Sequence, residues 1–387
     1  MTARPLIRVK PREGKRARAG APWLFSNEIE MPKGLAPGAV VNVVGDDGVV
    51  LGTGQFNPQS LIAVRLLDPA LDVALDEAFF AAKLARALAL RGRLYTAPYY
   101  RLVHAEGDGL PGLVIDRFGE TSVVQITTAG MEAARDTILA ALRRVVGPQR
   151  IVLRADAPSR NLEGLASYVD CEGSGRIGVE ENSVSYFADA AVGQKTGWYY
   201  DQRDNRAFMA ALAHGRTVLD AYSYTGGFAL AAAKAGAREV AGLESSGPAV
   251  TLAEEAAAAG HLAAKFIRCE VFDELERLGA AKENFAVVIA DPPPFVKAKK
   301  DLEAGAKAYR KLAKLAAAVT APEGMLFIAS CSHNISMERL AQECAAGLAR
   351  AGRRARLIRA AGAGPDHPIH PMLTESAYLK ALVYALD

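Results

Sequence analysis

The chain is poor in cysteine, in net charge and in long apolar runs. Its four cysteines, Cys171, Cys269, Cys331 and Cys344, show no CxxC spacing, which argues against a disulfide framework and favours free thiols in a reducing compartment. No apolar stretch approaches the roughly 20 residues that cross a bilayer, and residues 1–20 lack the apolar segment of a secretory signal. We therefore expect a cytoplasmic protein without a membrane partner.

Charge is balanced overall but uneven along the chain, and the formal net charge is only +3. This balance excludes a chain that is a polycation over its whole surface. The N-terminal basic segment nevertheless sets seven cations against the single acid Glu13, and its cations are Arg4, Arg8, Lys10, Arg12, Lys15, Arg16 and Arg18. Such a segment is either a phosphate-contacting patch or a solvated tail, and its residues alone do not separate the two.

The order of apolar patterns predicts three domains in an α/β chain. Residues 1–72 contain short alternating runs between prolines and glycines, which are typical of a small β-barrel. Residues 73–188 mix strands with helices over Asp76–Leu94 and Met131–Val146, and this mixture predicts an α+β middle domain. Residues 189–387 alternate strands with helices and predict a doubly wound, Rossmann-like domain.

Two short segments in the last domain carry the most chemistry. Asp291 opens DPPPF after the apolar run FAVVIA, and Cys331 lies in SCSH after GMLFIA. Such runs are typical of buried parallel strands, and if the two strands are neighbours their ends lie about 5 Å apart at one edge of the sheet. Lys297, Lys299 and Lys300 follow DPPPF and favour a polyanionic substrate.

An acid and a thiol at one sheet edge predict covalent methyl transfer to carbon-5 of a pyrimidine. A thiolate that adds to carbon-6 makes carbon-5 nucleophilic. In this hypothesis Cys331 is the nucleophile, and Asp291 hydrogen-bonds to or protonates the N3 side of the ring. The alternative for Cys331 is a buried, inert thiol at the end of a strand.

A third segment predicts a cradle for a nucleoside. A strand containing Asp220 runs into the Gly226-Gly227 turn and a helix, and the next strand ends at Glu244, 24 residues after Asp220. A carboxylate at this spacing can accept hydrogen bonds from ribose hydroxyls. The turn carries no P-loop and no GxGxxG motif, so it fits S-adenosylmethionine, which has a ribose but no pyrophosphate. The predicted cofactor-binding residues are Lys195, Thr196, Gln202, Asp220, Tyr222, Ser223, Thr225, Glu244, Ser245, Glu270, Val271 and Asp291.

Other motifs have a structural interpretation. Gly107–Gly112 matches GxGxxG literally, but Pro111 and the run after it indicate a turn into a strand. The aromatic side chains of residues 193–203 either stack on adenine or on a flipped base, or form an apolar lid. The histidines His333, His367 and His370 have no cysteine at finger spacing, and we expect no metal site.

Taken together, the motifs resemble the cytosine-5 methyltransferases of large-subunit (23S) rRNA that carry an N-terminal PUA domain. The resemblance covers nearly the whole chain and rests on these phrases in order: PLIRVKPREGKRARAGAPWLFSNEIE, EGDGLPGLVIDRFG, GQKTGWYYDQRDNR, VLDAYSYTGGFAL, ADPPPF, SCSHN and DHP. It implies that Cys331 is the catalytic nucleophile, that Asp291 is the acid of the DPP motif, and that residues 1–72 form a PUA-like RNA-binding barrel.

The same resemblance implies that Glu244 binds the ribose and Glu270 the adenine side. Two positions depart from the family pattern: Cys269-Glu270 replaces a commoner pair of aspartates, and His333 stands where glycine is common. The implied partner is RNA, either 23S rRNA or a large-subunit precursor, and the oligomeric state stays open between a monomer and a homodimer. Uridine-5 methylation and an inactive RNA-binding ribosome assembly factor remain alternatives.

Overall fold

The computed structural model describes residues 4–387 and begins with a five-stranded sheet. Its strands run in the order β1-β3-β4-β5-β2, and β1 and β3 are parallel whereas the other pairs are antiparallel. The elements are β1 Leu6–Arg8, α1 Lys15–Arg18, β2 Trp23–Leu24, β3 Ala39–Val44, β4 Val50–Phe56 and β5 Val64–Asp68. Four of the five strands lie in the predicted alternating runs, and β2 was missed because two residues are too short to show a period.

The middle region is a second five-stranded sheet covered by helices. Its order is β10-β9-β8-β7-β6, with β8 and β9 parallel and the other pairs antiparallel. The elements are α2 Glu77–Leu94, β6 Tyr99–His104, β7 Leu113–Phe118, β8 Thr121–Ile126, α3 Ala129–Ala133, α4 Arg135–Val146, β9 Arg150–Ala155 and β10 Tyr168–Asp170. The segment Gly107–Gly112 joins the antiparallel strands β6 and β7, which confirms a turn into a strand.

Helix formation in this region follows the local signals, with one correction. The Asp76 side chain caps α2 by accepting a hydrogen bond from the Phe79 backbone. The single helix predicted over Met131–Val146 is two helices that meet at Ala134. The first of them starts earlier than predicted because the Thr128 side chain accepts from the Met131 backbone and caps it.

The C-terminal region is a doubly wound sheet, as predicted, and it follows a hairpin of β11 Arg176–Glu181 and β12 Val184–Asp189. Its seven strands run in the order β15-β14-β13-β16-β17-β19-β18, and β19 alone is antiparallel to its neighbours. The elements are α5 Arg203–Ala211, β13 Thr217–Ala221, α6 Gly227–Lys234, β14 Glu239–Glu244, α7 Gly247–Ala259, β15 Lys265–Arg268, α8 Val271–Ala280, β16 Phe285–Ala290, α9 Leu302–Ala318, β17 Thr320–Ser330, α10 Met337–Arg350, β18 Ala355–Ala361 and β19 Lys380–Leu386.

The sheet order reverses between β13 and β16, where open α/β sheets bind ligands. Apolar helix faces cover both sides of the sheet, and Leu219, Val288 and Leu326 lie in the core on one side. None of the helices within residues 4–387 has the length and apolarity to cross a membrane.

The described chain divides into two compact units. One contains the residues up to Ile177 with Asp189–Trp198 and Pro365–Ser376, and the other contains Gly178–Ala188, Tyr199–Gly364 and Ala377–Asp387. The predicted domain boundaries at residues 72 and 188 stay a prediction.

Candidate active site

The turn after β13 has a strained backbone. Tyr222 and Tyr224 have φ angles of 68° and 50°, in the left-handed region that bulky residues rarely adopt. The turn is held by the Ser223 backbone N–H, which donates to the Leu243 carbonyl at 2.9 Å. Gly226, with a φ of 82°, then leads into α6. Strain of this kind persists where the surroundings enforce it and is concentrated at ligand sites.

Polar atoms at this turn are buried without a hydrogen-bond partner in the described chain. They are Asp220 Oδ1, Ser223 Oγ and Thr225 Oγ1, together with Gln202 Nε2 just before α5. Each buried polar group without a hydrogen-bond partner lowers stability by about 1–3 kcal/mol. A polar ligand that hydrogen-bonds to these groups would remove that cost, which favours its binding. The residues present therefore fit a nucleoside, and the sequence predicted all four of them.

Asp220 is fully buried, and burial raises its pKa to about 8. The nearby carboxylates of Asp291 and Glu244 raise it further, and the Ala229 backbone N–H, which donates to Asp220 Oδ2 at 2.9 Å, opposes them. The influence of Asp291 and Glu244 on Asp220 indicates that the ends of β13, β14 and β16 lie near one another at one site. At neutral pH Asp220 is largely protonated and offers a hydrogen-bond donor.

Glu244 ends β14, as predicted, and its carboxylate is fixed by the backbone. Oε2 accepts from the Tyr224 N–H at 3.0 Å and Oε1 from the Ser246 N–H at 2.8 Å. The Ser245 hydroxyl donates to Oε1 at 3.3 Å. Oε1 therefore already accepts two hydrogen bonds, whereas Oε2 keeps a second lone pair that can accept from a ribose hydroxyl.

The residues predicted for the adenine side lie at the start of α8. Glu270 is exposed and precedes Val271, which is buried. Burial and the carboxylates of Glu270 and Glu244 raise the pKa of Tyr222. The apolar pattern of residues 264–270 suggests a strand that contains Cys269, but β15 ends at Arg268 and the thiol lies just beyond it. Burial raises the pKa of Cys269 to about 11.

Asp291 and Cys331 follow β16 and β17, which pair in parallel as predicted, with Ala290 opposite Ile328. The loops that carry them are joined directly: the Val296 N–H donates to Ser332 Oγ at 3.3 Å, and Asn334 Nδ2 donates to the Lys297 carbonyl at 3.2 Å. Both side chains are half-buried.

Tyr199 marks the point where these two groups converge. Burial raises its pKa well above the usual value, and Tyr224, Asp201, Cys331 and Asp291 all add to the rise. Its ring meets that of Tyr224 edge-on, with 5.5 Å between ring centroids. Tyr199 therefore contacts the turn after β13 through Tyr224, and Cys331 and Asp291 lie near enough to affect its pKa.

Sequence reasoning missed two residues beside Cys331. Tyr309 Oη lies 2.7 Å from Ser330 Oγ and 3.2 Å from Ser332 Oγ. Lys380 is buried, and its Nζ donates to the Ser332 and Tyr378 carbonyls, both at 2.9 Å. The signal for Lys380 was present in the sequence, since a single cation opens the apolar strand KALVYAL.

Two predicted cofactor residues lie in the other compact unit. Thr196 is buried there, and its hydroxyl donates to Asp116 Oδ2 at 2.6 Å. Lys195 is exposed and has a φ of 52°. Their assignment to the cofactor stays a prediction. Gln202 is buried beside Asn205, whose Nδ2 donates to Gln202 Oε1 at 2.7 Å.

His333 and His367 belong to different compact units and have different surroundings. His333 is exposed with its ring 5.3 Å from that of Tyr378, whereas His367 is buried and bonded to Asp366. Within residues 4–387 no cluster of three or more His, Cys, Asp or Glu side chains has a geometry that could hold a metal ion.

A doubly wound sheet with one antiparallel strand and a nucleoside cradle at its switch point defines an S-adenosylmethionine-dependent methyltransferase. The family of that description matches residues 148–385, and the PUA-like domain family matches residues 7–69. The methyl donor is therefore S-adenosylmethionine.

Relatives extend the match over nearly the full length. The ribosomal RNA large subunit methyltransferase I of Shewanella frigidimarina is 34% identical over 390 residues, which cover 97% of this chain and 98% of that protein. The protein of the same name from Tolumonas auensis is 35% identical and covers 94% of each. A solved methyltransferase structure from Streptococcus mutans superposes with a TM-score of 0.83 at 22% identity, covering 98% of this chain and 100% of that one, which shows the shared fold. The chain belongs to the same family as these rRNA methyltransferases.

Proposed function

We propose that this protein methylates carbon-5 of a cytosine in 23S rRNA through a covalent adduct with Cys331. Relatives named for large-subunit rRNA at more than a third identity support the RNA substrate. The observation that carries the proposal is the pairing of β16 with β17, which joins the loops of Asp291 and Cys331 beside the nucleoside turn. The PUA-like domain would bind the RNA, and such a substrate is consistent with action in the cytoplasm.

Cys331 is the thiol best suited to covalent chemistry. Burial raises the pKa of Cys344 to about 12, and that of Cys269 is also raised, so both stay protonated at neutral pH. Cys331 is half-buried, follows a strand directly and lies next to the lysine Nζ bonded at Ser332. A thiolate in an accessible site near a cation is the reactive form of cysteine.

The residues would act in a fixed order. The Cys331 thiolate adds to carbon-6 while Asp291, in its protonated form, donates a hydrogen bond to N3, and carbon-5 becomes nucleophilic. S-adenosylmethionine, when bound, supplies the electrophilic methyl group. Loss of the carbon-5 proton to a base then allows the thiolate to leave and restores the aromatic ring. The exposed Lys297, Lys299 and Lys300 would attract the phosphates of the RNA strand.

Nucleoside mass spectrometry tests the proposal. Unmodified 23S rRNA is incubated with S-adenosylmethionine and full-length protein, and the digested nucleosides are analysed. We expect 5-methylcytidine with the wild type and with the matched control Cys171→Ala, whose thiol lies in the other compact unit. We expect none with Cys331→Ala. Formation of 5-methyluridine, or turnover by Cys331→Ala, would overturn the proposal.

A further inference from the structure

Lys380 occupies a place that a lysine rarely takes. It is the first residue of β19 and pairs with Ser330, the last residue of β17, one position before Cys331. It is only 7% exposed. A buried ammonium is costly unless it is paired and hydrogen-bonded, so its position requires an explanation.

Hydrogen bonds offset only part of the cost of burying the Lys380 ammonium group. The ammonium group has three N–H donors, and the Ser332 and Tyr378 carbonyls accept from Nζ. Both acceptors are uncharged, and within residues 4–387 Lys380 makes no salt bridge to a carboxylate. Burial lowers the pKa of Lys380, and the nearby Cys331 thiol, a group able to carry a negative charge, opposes that shift.

We propose that Lys380 is a positioning residue whose ammonium pairs with the Cys331 thiolate and keeps that thiolate ionised and aimed for attack. The proposal rests on the proposed function, because it assigns a role to the residue that holds the nucleophile. One carbonyl in the SCS segment, that of Ser332, and one just before β19, that of Tyr378, hold Nζ, so the charge cannot swing away from the SCS segment as that of an exposed lysine would.

Four further groups near Cys331 in the described chain, those of Tyr309, Tyr199, Asp291 and His333, do not supply a fixed positive charge. Tyr309 on α9 and Tyr199 before α5 are neutral at physiological pH, because burial raises the pKa of each. Asp291, after β16, is an acid and opposes ionisation of the thiol. His333 follows in the chain but is exposed and packs towards Tyr378. Loss of the Lys380 charge should therefore raise the pKa of the Cys331 thiol more than the loss of any of these four side chains.

The experiment measures the alkylation of Cys331 by iodoacetamide as a function of pH, on full-length protein without donor or RNA. Peptide mass spectrometry follows each cysteine separately, and buried Cys344 reports on folding. The variants are Lys380→Gln, which keeps hydrogen-bond donors but loses the charge, and Lys380→Arg, which keeps the charge. The matched control is Lys311→Gln on the exposed face of α9.

We expect Lys380→Gln to move the alkylation midpoint up by at least one pH unit, so that the rate at neutral pH falls about tenfold. Lys380→Arg and Lys311→Gln should stay near the wild type. Turnover by Lys380→Gln should recover as the pH is raised. Identical alkylation profiles for wild type and Lys380→Gln, with Cys344 still protected, would overturn the proposal.

The result is independent of the methylation chemistry, because alkylation needs only the free thiol. If the alkylation profile shifted but the methylation assay failed, the ion pair between Lys380 and Cys331 would be supported, and its role in catalysis would be rejected. If Lys380→Gln exposed Cys344 and so proved unfolded, the comparison of wild type with Lys380→Arg would decide: a wild-type midpoint at the ordinary value of about 8.5 would contradict the ion pair.

Discussion

At the scale of single residues, Glu244 is predicted to bind the ribose of the donor. Its carboxylate accepts from two backbone N–H groups, those of Tyr224 and Ser246. We expect Glu244→Ala to weaken S-adenosylmethionine binding by about 1.5–3 kcal/mol, the range for hydrogen bonds to a charged acceptor. Calorimetry checks this against Glu239→Ala, an exposed acid at the start of the same strand. Unchanged affinity would mean that the cradle lies elsewhere.

Asp220 predicts an unusual dependence of stability on pH. Its folded-state pKa of about 8 lies above its ordinary value of 3.8. Between about pH 4 and about pH 8 the folded protein therefore holds a proton that the unfolded chain releases, and stability falls as the pH rises through this window. Asp220→Asn removes that loss and can still accept from Ala229.

The measurement is urea unfolding of both proteins across pH without ligand. We expect the wild type to lose roughly 3–6 kcal/mol relative to Asp220→Asn as the pH rises from about 4 to about 9. Parallel stability curves would show that the Asp220 carboxylate is not buried as described. Contributions from groups distant from Asp220 cancel in the comparison, since they titrate alike in both proteins; Asp291 and Glu244 lie close enough to respond to the substitution.

The sequence placed Asp220, Glu244, Asp291 and Cys331 at one edge of the sheet, because parallel strands end at one edge; their roles stay predictions. The approach of Tyr199, Tyr309 and Lys380 to Cys331 could not be predicted, because it depends on tertiary packing that no local period encodes. In particular, Lys380 meets the thiol only because β19 inserts antiparallel beside β17.

At the scale of elements, the packing of α9 fixes the loop after Asp291. A Cβ on Gly305 would lie 2.7 Å from the Phe295 carbonyl oxygen and 2.4 Å from Val296 Cγ2. We expect Gly305→Ala to lower the free energy of unfolding by about 1–3 kcal/mol, the cost of overpacking. Turnover should fall as well, because the displaced loop carries Asp291.

Gly279 in α8 is the matched control for Gly305. The nearest atoms to a Cβ there are 4.0 Å away, so Gly279→Ala should stabilise the protein by about 0.5–1 kcal/mol. Thermal and urea unfolding with turnover assays on both variants check this pair. Equal stability and full activity of Gly305→Ala would show that the loop is not held by this contact.

Element boundaries show where sequence patterns stop being informative. The strands β13, β14, β16 and β17 of the doubly wound sheet were predicted from the sequence, and α2 was predicted over Asp76–Leu94, whereas β18 and β19 were not singled out. The break at Ala134 and the two-residue strand Trp23–Leu24 were missed. In both cases side-chain capping or strand pairing, rather than periodicity, sets the limit of the element.

At the scale of the whole molecule, the N-terminal basic segment is partly used in internal contacts. Arg16 pairs with Glu375, and Arg18 with Asp46 and Asp47. Four of its cations are exposed and make no ion pair within the described chain: Arg8, Lys10, Arg12 and Lys15. These are the side chains that would reach phosphate.

We expect combined replacement of Lys10, Arg12 and Lys15 by glutamine to lower the slope of log affinity against log salt by about 2–3, if each contacts one phosphate. Affinity for S-adenosylmethionine should not change. Filter binding of rRNA fragments across a salt series checks this, with Arg216, Arg238 and Lys265, exposed in the other compact unit, replaced together as the control. Coincident slopes would identify the segment as a solvated tail.

Trapping of a covalent complex tests the central claim most directly. In RNA that contains 5-fluorocytosine, fluorine replaces the carbon-5 proton, so the adduct cannot eliminate and should persist. We predict a denaturation-resistant complex whose RNA-linked peptide contains Cys331, formed only when S-adenosylmethionine is present and absent in Cys331→Ala. RNA binding and methylation of ordinary RNA without any trapped adduct, or an adduct on another cysteine, would contradict covalent catalysis by Cys331.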